Sequence, residues 1–229
     1  MDSAKGNHRS KNNQCHLCQL TPGHPLLCHD CYNDLPWLNH RCPICALPRM
    51  LSSSYACGHC QKKPPAYRHI QAAFHYHFPL NELINQAKFE HQLHYIPLLA
   101  ELLLDAIPPE HRFADLIVPV PMHWKKLKKR RVNHALLLAR ELGKRLSIPV
   151  ADTQLLQKVR HTEPQKDLTR QQRQQNLRGS FAVSGTLPAH VALVDDVMTT
   201  GATIEEIARL LIRHQVQKVD GWVIARTPA

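Results

Sequence analysis

The sequence predicts an α/β protein: a mainly parallel sheet with helices on both faces, preceded by a small cysteine-rich module. Three observations predict it. All eight cysteines fall in four C-x-x-C pairs near the front of the chain. Beyond Pro65, short runs without a polar face alternate with segments whose apolar residues recur at helical spacing. The 229 residues, 43% of them hydrophobic, suffice for one good core and a small second module.

Bulk properties exclude some classes. No run of about eighteen apolar residues occurs, so no segment reads as a membrane span. The opening MDSAKGNHRSKNNQ is polar and lacks an apolar signal core, which predicts a cytoplasmic location. The formal net charge is +11; with two zinc ions held by eight thiolates, eight charges are subtracted and four added, leaving +7. That balance points to a polyanionic partner, a phosphorylated substrate or nucleic acid, with an ordinary basic protein as the plainer reading.

From the front, residues 1–14 read as a polar tail, 15–65 as a double zinc ribbon and 66–229 as the α/β domain. The cysteine spacings are C-x2-C-x9-C-x2-C, at Cys15, Cys18, Cys28 and Cys31, then C-P-x-C-x11-C-G-x-C, at Cys42, Cys45, Cys57 and Cys60. Two tight knuckles joined by a short loop supply the four soft ligands of a tetrahedral zinc ion. Redox C-x-x-C chemistry competes, but one pair would serve it and no thioredoxin-like helix follows. A disulfide framework does not suit a cytosolic chain. Sequential pairing needs the shortest loops, and a cross-braced pairing stays open. His16, His29 and His59 are spare ligands. A closed four-thiolate site has no open position for water, so the zinc would be structural.

Gln61 to Pro65 is a polar connector. Leu80 to Leu93 reads as a helix, and Pro97 to Leu104 as another, with Leu98, Leu99, Leu102 and Leu103 on one face. Asp115 to Pro121 reads as a buried strand. The run Lys125 to Arg131 then carries six positive charges in seven residues. It could gather a diphosphate, grip a nucleic-acid backbone, or be a solvated face; few aromatics besides Trp124 accompany it. Asn133 to Leu146 is predicted helical, Val191 to Val194 a buried strand, Thr203 to His214 a helix and Lys218 to Ala225 the closing strand. Ligands of such sheets collect at the carboxyl ends of the strands.

One strand end stands out. Val191 to Thr203 reads VALVDDVMTTGAT. Asp195 and Asp196 suit the paired hydroxyls of a ribose. Gly201 lets backbone approach a ligand, and Thr199, Thr200 and Thr203 offer hydroxyls. The following helix turns free N–H groups and its positive dipole end to the same place, which suits a phosphate. The plainer reading is a capped helix with solvated acids.

This thirteen-residue stretch resembles the phosphoribosyl-diphosphate signature of type I phosphoribosyltransferases. With the zinc knuckles, Lys88-Phe89, DLIVPVP, the Arg-rich stretch before Asn133, and R-x-T-x-x-Q-x-x-L at Arg160 to Leu168, the chain is similar to the ComF/GntX family over nearly its whole length. The family joins a double zinc ribbon to a type I phosphoribosyltransferase-like domain. The resemblance implies that Asp195 and Asp196 hold the ribose, and that Thr199, Thr200, Gly201, Ala202 and Thr203 hold the 5′-phosphate. It also implies that Pro121 and Met122, in the turn Val120 to His123, approach the diphosphate. Lys88, Arg160 and Arg173 are candidates to neutralise it, and Lys158 to Arg178 matches a loop that closes over substrate. Two departures stand near the diphosphate: the family's R-G-F-N-Q is here Arg130 to His134, and its Gly after K-F-x is His91.

The implied chemistry is displacement of diphosphate at the anomeric carbon, with Asp195, Asp196 and Arg160 as catalytic candidates and Mg2+ carried with phosphoribosyl diphosphate. The acceptor is not legible: nothing between Tyr67 and Asn81 names a base, and no residue attaches to gluconate. The alternative is a single-stranded-DNA-associated protein using the pocket as a ligand sensor, since the family implies a link with DNA-uptake machinery. No P-loop is present, so the chain is not read as its ATP-driven motor.

Overall fold

A four-stranded parallel sheet organises the computed structural model, which describes residues 14–20, 27–51, 54–89, 92–160 and 176–228. Its strands are β1 (Ile70–His75), β2 (Leu116–Pro119), β5 (His190–Met198) and β6 (Lys218–Arg226), in the order β1-β6-β5-β2. Strands β3 (Leu156–Lys158) and β4 (Phe181–Val183) form a separate antiparallel pair. The helices are α1 (His29–Asn33), α2 (Gly58–Lys62), α3 (Leu80–Phe89), α4 (Tyr95–Ala106), α5 (Trp124–Arg130), α6 (His134–Leu146) and α7 (Ala202–Arg213).

Both faces of the sheet are covered, which is why β5 and β6 are apolar without alternation. Side chains of successive strand residues point to opposite faces. Val191, Leu193, Val219 and Val223 share a core with Ile204, Ile207, Ala208 and Leu211 of α7. Ile224 and Asp196 instead meet Ile84 and Ala87 of α3, Ile96 and Leu99 of α4, and His134 and Leu138 of α6. The expected α/β architecture is therefore present.

Some boundaries differ from expectation. Helix α3 ends at Phe89 rather than Leu93, and α4 begins at Tyr95 rather than Pro97. Strand β5 runs four residues past Val194, because β6 continues to pair with it through Asp195↔Val223, Val197↔Ala225 and Met198↔Arg226. Both acids thus sit within the ladder, held by neighbouring backbone rather than on a loose turn. The basic run is a helix, α5, started by His123, whose Nδ1 accepts from the Lys125 N–H.

The chain divides into two compact units, residues 1–35 and 36–229. The second group of four cysteines belongs to the larger unit, whereas composition placed a module boundary near residue 65. The reason is hydrogen bonding to the sheet edge: Leu38 N–H donates to Ala73 O, Ile70 N–H to Ile44 O, and the Arg41 guanidinium to Ala72 O at 2.8 Å. Within each unit the knuckles repeat one turn. Gln19 N–H donates to Cys15 O and Ala46 N–H to Cys42 O, and Gln19 and Ala46 both have positive φ. Tyr32 N–H to Cys28 O and Gln61 N–H to Cys57 O repeat the second turn.

Candidate functional site

The cysteines gather as two sequential groups, Cys15, Cys18, Cys28, Cys31 and Cys42, Cys45, Cys57, Cys60, each with its sulfurs within 4.8 Å of one another. For four sulfurs about 2.3 Å from zinc, the tetrahedron edge is about 3.8 Å. Cys18–Cys28 and Cys45–Cys57 each stand 3.7 Å apart, sulfur to sulfur. Both groups fit a structural zinc ion, and the pairing left open by spacing is sequential. Among the described residues, no histidine joins either group.

The acid pair lies at the carboxyl end of the central strand β5. Asp196 faces α3, where its Oδ1 meets Lys88 Nζ at 2.9 Å. Asp195 Oδ1 accepts from the Asp196 N–H at 2.9 Å. Burial first, then the adjacent Asp196 charge, pushes the Asp195 carboxyl up to about 7, although the backbone N–H, Lys88 and Lys158 oppose this. Lys158, at the end of β3, is in turn pushed down to about 8 by burial and by Lys126, with Asp195 opposing. A carboxyl and an ammonium both titrating near neutrality mark a site whose charges wait for a ligand.

Past the acids the chain turns into α7. Gly201 caps that helix with φ +77, and a Cβ there would fall 2.3 Å from Met198 Cε. Only glycine holds this turn without strain. Gly201 offers α7 no side-chain cap, and the Ala202 N–H at the helix start donates to Thr200 Oγ1 at 3.4 Å. Thr199 is exposed, Thr200 and Thr203 are half-buried, and Gly201 and Ala202 are buried.

Pro121 and Met122 line a cleft of about 680 Å³ with Trp124, Arg131, Arg140 and Lys158. Asn133 anchors its wall: the amide donates to Val120 O, and its oxygen accepts from the Ala135 N–H, both at 3.2 Å. His134, standing where the family has Gln, is buried and hydrogen-bonds the Ala87 carbonyl through Nε2 at 2.8 Å. It fixes the turn of α3 that carries Lys88. Burial lowers its basicity, which suits a neutral ring donating through Nε2.

The structure thus brings Lys88, Asp195, Asp196 and the Thr199–Thr203 turn to one strand end, with Pro121 and Met122 just past the end of the neighbouring strand β2. Arg160 is not engaged there: it is exposed and donates to Asn176 O at 2.5 Å. Arg173, His91 and residues 161–168 of the loop motif lie outside the described residues. Three contributors escaped the sequence reading. Lys158 was read only as the first residue of the loop Lys158 to Arg178, whereas it ends strand β3, and His134 was legible only as a departure. Arg226 is 2% exposed at the end of β6, where its guanidinium donates to Met198 O, Thr199 O and Cys45 O. The signal for Arg226 was a charge extending the apolar run WVIA.

Residues 133–229 match the phosphoribosyl transferase domain family. The chain is 34% identical over 223 residues to the DNA utilization protein YhgH of Salmonella typhimurium, covering 93% of this chain and 96% of that protein. It is 32% identical over 232 residues to Competence protein F of Haemophilus influenzae, covering 97% and 94% respectively. The YhgH of Escherichia coli K12 is 33% identical over 223 residues, with 93% and 96% coverage. Among the described residues, no helix is long and apolar enough to cross a membrane.

Proposed function

Because this chain belongs to the ComF/GntX family, we propose that it binds phosphoribosyl diphosphate with Mg2+ and transfers the phosphoribosyl group to an acceptor nucleophile, serving DNA utilisation in the cytoplasm. The observation that carries this reading is the acid pair inside the β5 ladder, with one carboxyl on Lys88 and the other pushed towards neutrality. Asp195 and Asp196 accept from the ribose hydroxyls. The turn Thr199 to Thr203 and the first N–H groups of α7 take the 5′-phosphate. Pro121 and Met122 offer backbone to the diphosphate, and Lys88 and Lys158 are the nearby cations that offset its charge. Arg160 is a further candidate cation for the same diphosphate.

In the transfer, a bond forms from the acceptor to the anomeric carbon while the bond from that carbon to the diphosphate oxygen breaks, its electron pair leaving on diphosphate. The carboxylates of Asp195 and Asp196 are the hard oxygen donors at this strand end that would hold Mg2+ brought with the substrate, which when bound would offset the charge of the leaving diphosphate. The test is calorimetric titration of phosphoribosyl diphosphate with Mg2+ into wild type and the double variant Asp195→Asn/Asp196→Asn. The variant should bind about 10- to 100-fold more weakly, as for lost charged hydrogen bonds. Equal binding would refute the site. A screen of bases for diphosphate release then identifies the acceptor class.

A second reading, binding of single-stranded DNA, is favoured by one feature of α5. Trp124 is 54% exposed, and Lys125 Nζ and Lys128 Nζ stand 5.8 and 5.1 Å from its ring centre. An exposed indole among ammonium groups offers a stacking face beside a phosphate grip.

A further inference from the structure

The carbonyls at the start of the turn assigned to the 5′-phosphate are held by Arg226. Its buried guanidinium donates to Met198 O at 3.2 Å and to Thr199 O, the two residues that open the turn, and to Thr227 O at 2.7 Å. The same group donates through Nε to Cys45 O, the backbone of a second-ribbon cysteine, at 3.3 Å. One rigid planar fork therefore spans the phosphate turn and the zinc knuckle.

Two further ties run in parallel. Glu205, in the first turn of α7, accepts from the Ala66 N–H at 2.9 Å, just past the second ribbon, while Arg209 holds its other oxygen at 2.7 Å. Tyr67 is buried, and its hydroxyl lies 3.9 Å from where a Cβ on Gly201 would stand. Tyr67, Met198 and Ile204 share one core with Cys42, Cys45, Cys57 and Cys60. Cys15, Cys18, Cys28 and Cys31 belong to the other compact unit.

We propose that Arg226 is a positioning residue for the 5′-phosphate turn and couples it to the second zinc site, so that ligand in the turn and metal in Cys42/Cys45/Cys57/Cys60 stabilise each other. Coupling between two sites is reciprocal: if the metal holds the turn for phosphate, then phosphate in the turn must hold the metal. The inference rests on the ligand site proposed above, and the experiment separates the two.

The probe is ribose 5-phosphate, which carries the sugar and the turn's phosphate without the diphosphate. Zinc release from the full chain is followed with a chromogenic chelator, with and without saturating ribose 5-phosphate, alongside calorimetry. The variant Cys18→Ser/Cys31→Ser assigns the phase that belongs to the second site. Ribose 5-phosphate should slow that phase about tenfold, within the usual range of coupling, and leave the first-site phase unchanged. Binding by calorimetry with no change in either phase would overturn the coupling while leaving the ligand site intact. No binding at all would remove the ligand site and this inference with it. Arg226→Lys keeps a cation but not the fork; it should retain two zinc ions per chain, bind ribose 5-phosphate about tenfold more weakly and lose the protection. Wild-type affinity and protection in Arg226→Lys would dismiss Arg226 as the link. If that variant fails to fold, the wild-type release measurement alone decides the coupling.

Discussion

Asp195 is the residue whose environment costs most. Its folded carboxyl is pushed up to about 7, chiefly by burial, whereas an unfolded aspartate titrates near the ordinary value of 3.8. Between those values the folded protein holds a proton that the unfolded chain has lost. The resulting stability is full below the unfolded value and disappears as pH rises through the folded one. Asp195→Asn keeps the neutral form at every pH. It should therefore overtake wild type in thermal unfolding between about pH 5 and 8, reaching about 1–2 kcal/mol at the upper end after allowing for a carboxyl that is only half-buried. An offset constant across that range would mean that burial is not what perturbs the carboxyl. His134 makes a second residue-scale case. His134→Ala removes the hydrogen bond to Ala87 O and leaves a cavity beside α3, costing about 2–3 kcal/mol in chemical denaturation. His134→Gln, the residue of the family pattern, should recover most of this if the hydrogen bond to α3 is what matters.

At the scale of elements, legibility followed periodicity and burial. Helices α4, α6 and α7 and strands β2, β5 and β6 were readable because each sets an apolar face or run against a covered sheet. Strand β1 was not, since IQAAFH mixes polar and small residues; its place comes from β6 on one side and the second ribbon's backbone on the other. The β3–β4 pair, three residues each, is too short to show a period. The extension of β5 through the acids was hidden because carboxylates in a strand look like its end. The four-cysteine groups were legible as metal sites, yet not the fact that one of them is annealed to the sheet edge, which depends on backbone partners far along the chain. The phosphate turn is the element where local and distant terms meet. Gly201→Ala must either adopt a strained positive φ of +77 or reshape the turn, and its Cβ would also displace the flexible end of Met198. We expect it to lower stability by about 1–2 kcal/mol and to weaken ribose 5-phosphate binding more than a conservative surface change. Unchanged calorimetric affinity would show that the turn tolerates a left-handed alanine and that its geometry is not the selecting feature.

Across the whole molecule, charge is distributed so that each end of the sheet has its own task. At the amino end, Asp220 is buried and saturated: Arg68 donates to both of its oxygens, at 3.0 and 2.6 Å, and His190 Nε2 lies 2.7 Å away. At the carboxyl end, burial pushes Lys158 down to about 8 and Asp195 up to about 7, and α5 turns Lys125, Lys128 and Trp124 outward. A structural carboxylate is thus closed off, while the cations by the cleft remain open to a polyanion. If that polyanion is single-stranded DNA, each neutralised phosphate contributes about −0.7 to the slope of log affinity against log salt. Three to four contacts from Lys125, Lys128, Arg131 and Lys126 predict a slope of about −2 to −3. The double variant Lys125→Ala/Lys128→Ala should flatten it by about 1.4. Trp124→Ala should act differently, lowering affinity about tenfold through lost stacking while leaving the slope unchanged. Neither change touches Asp195 or Asp196, so phosphoribosyl diphosphate binding should survive in both variants. A wild-type slope near zero would remove the DNA reading, and the basic helix would then be a guide for the diphosphate alone.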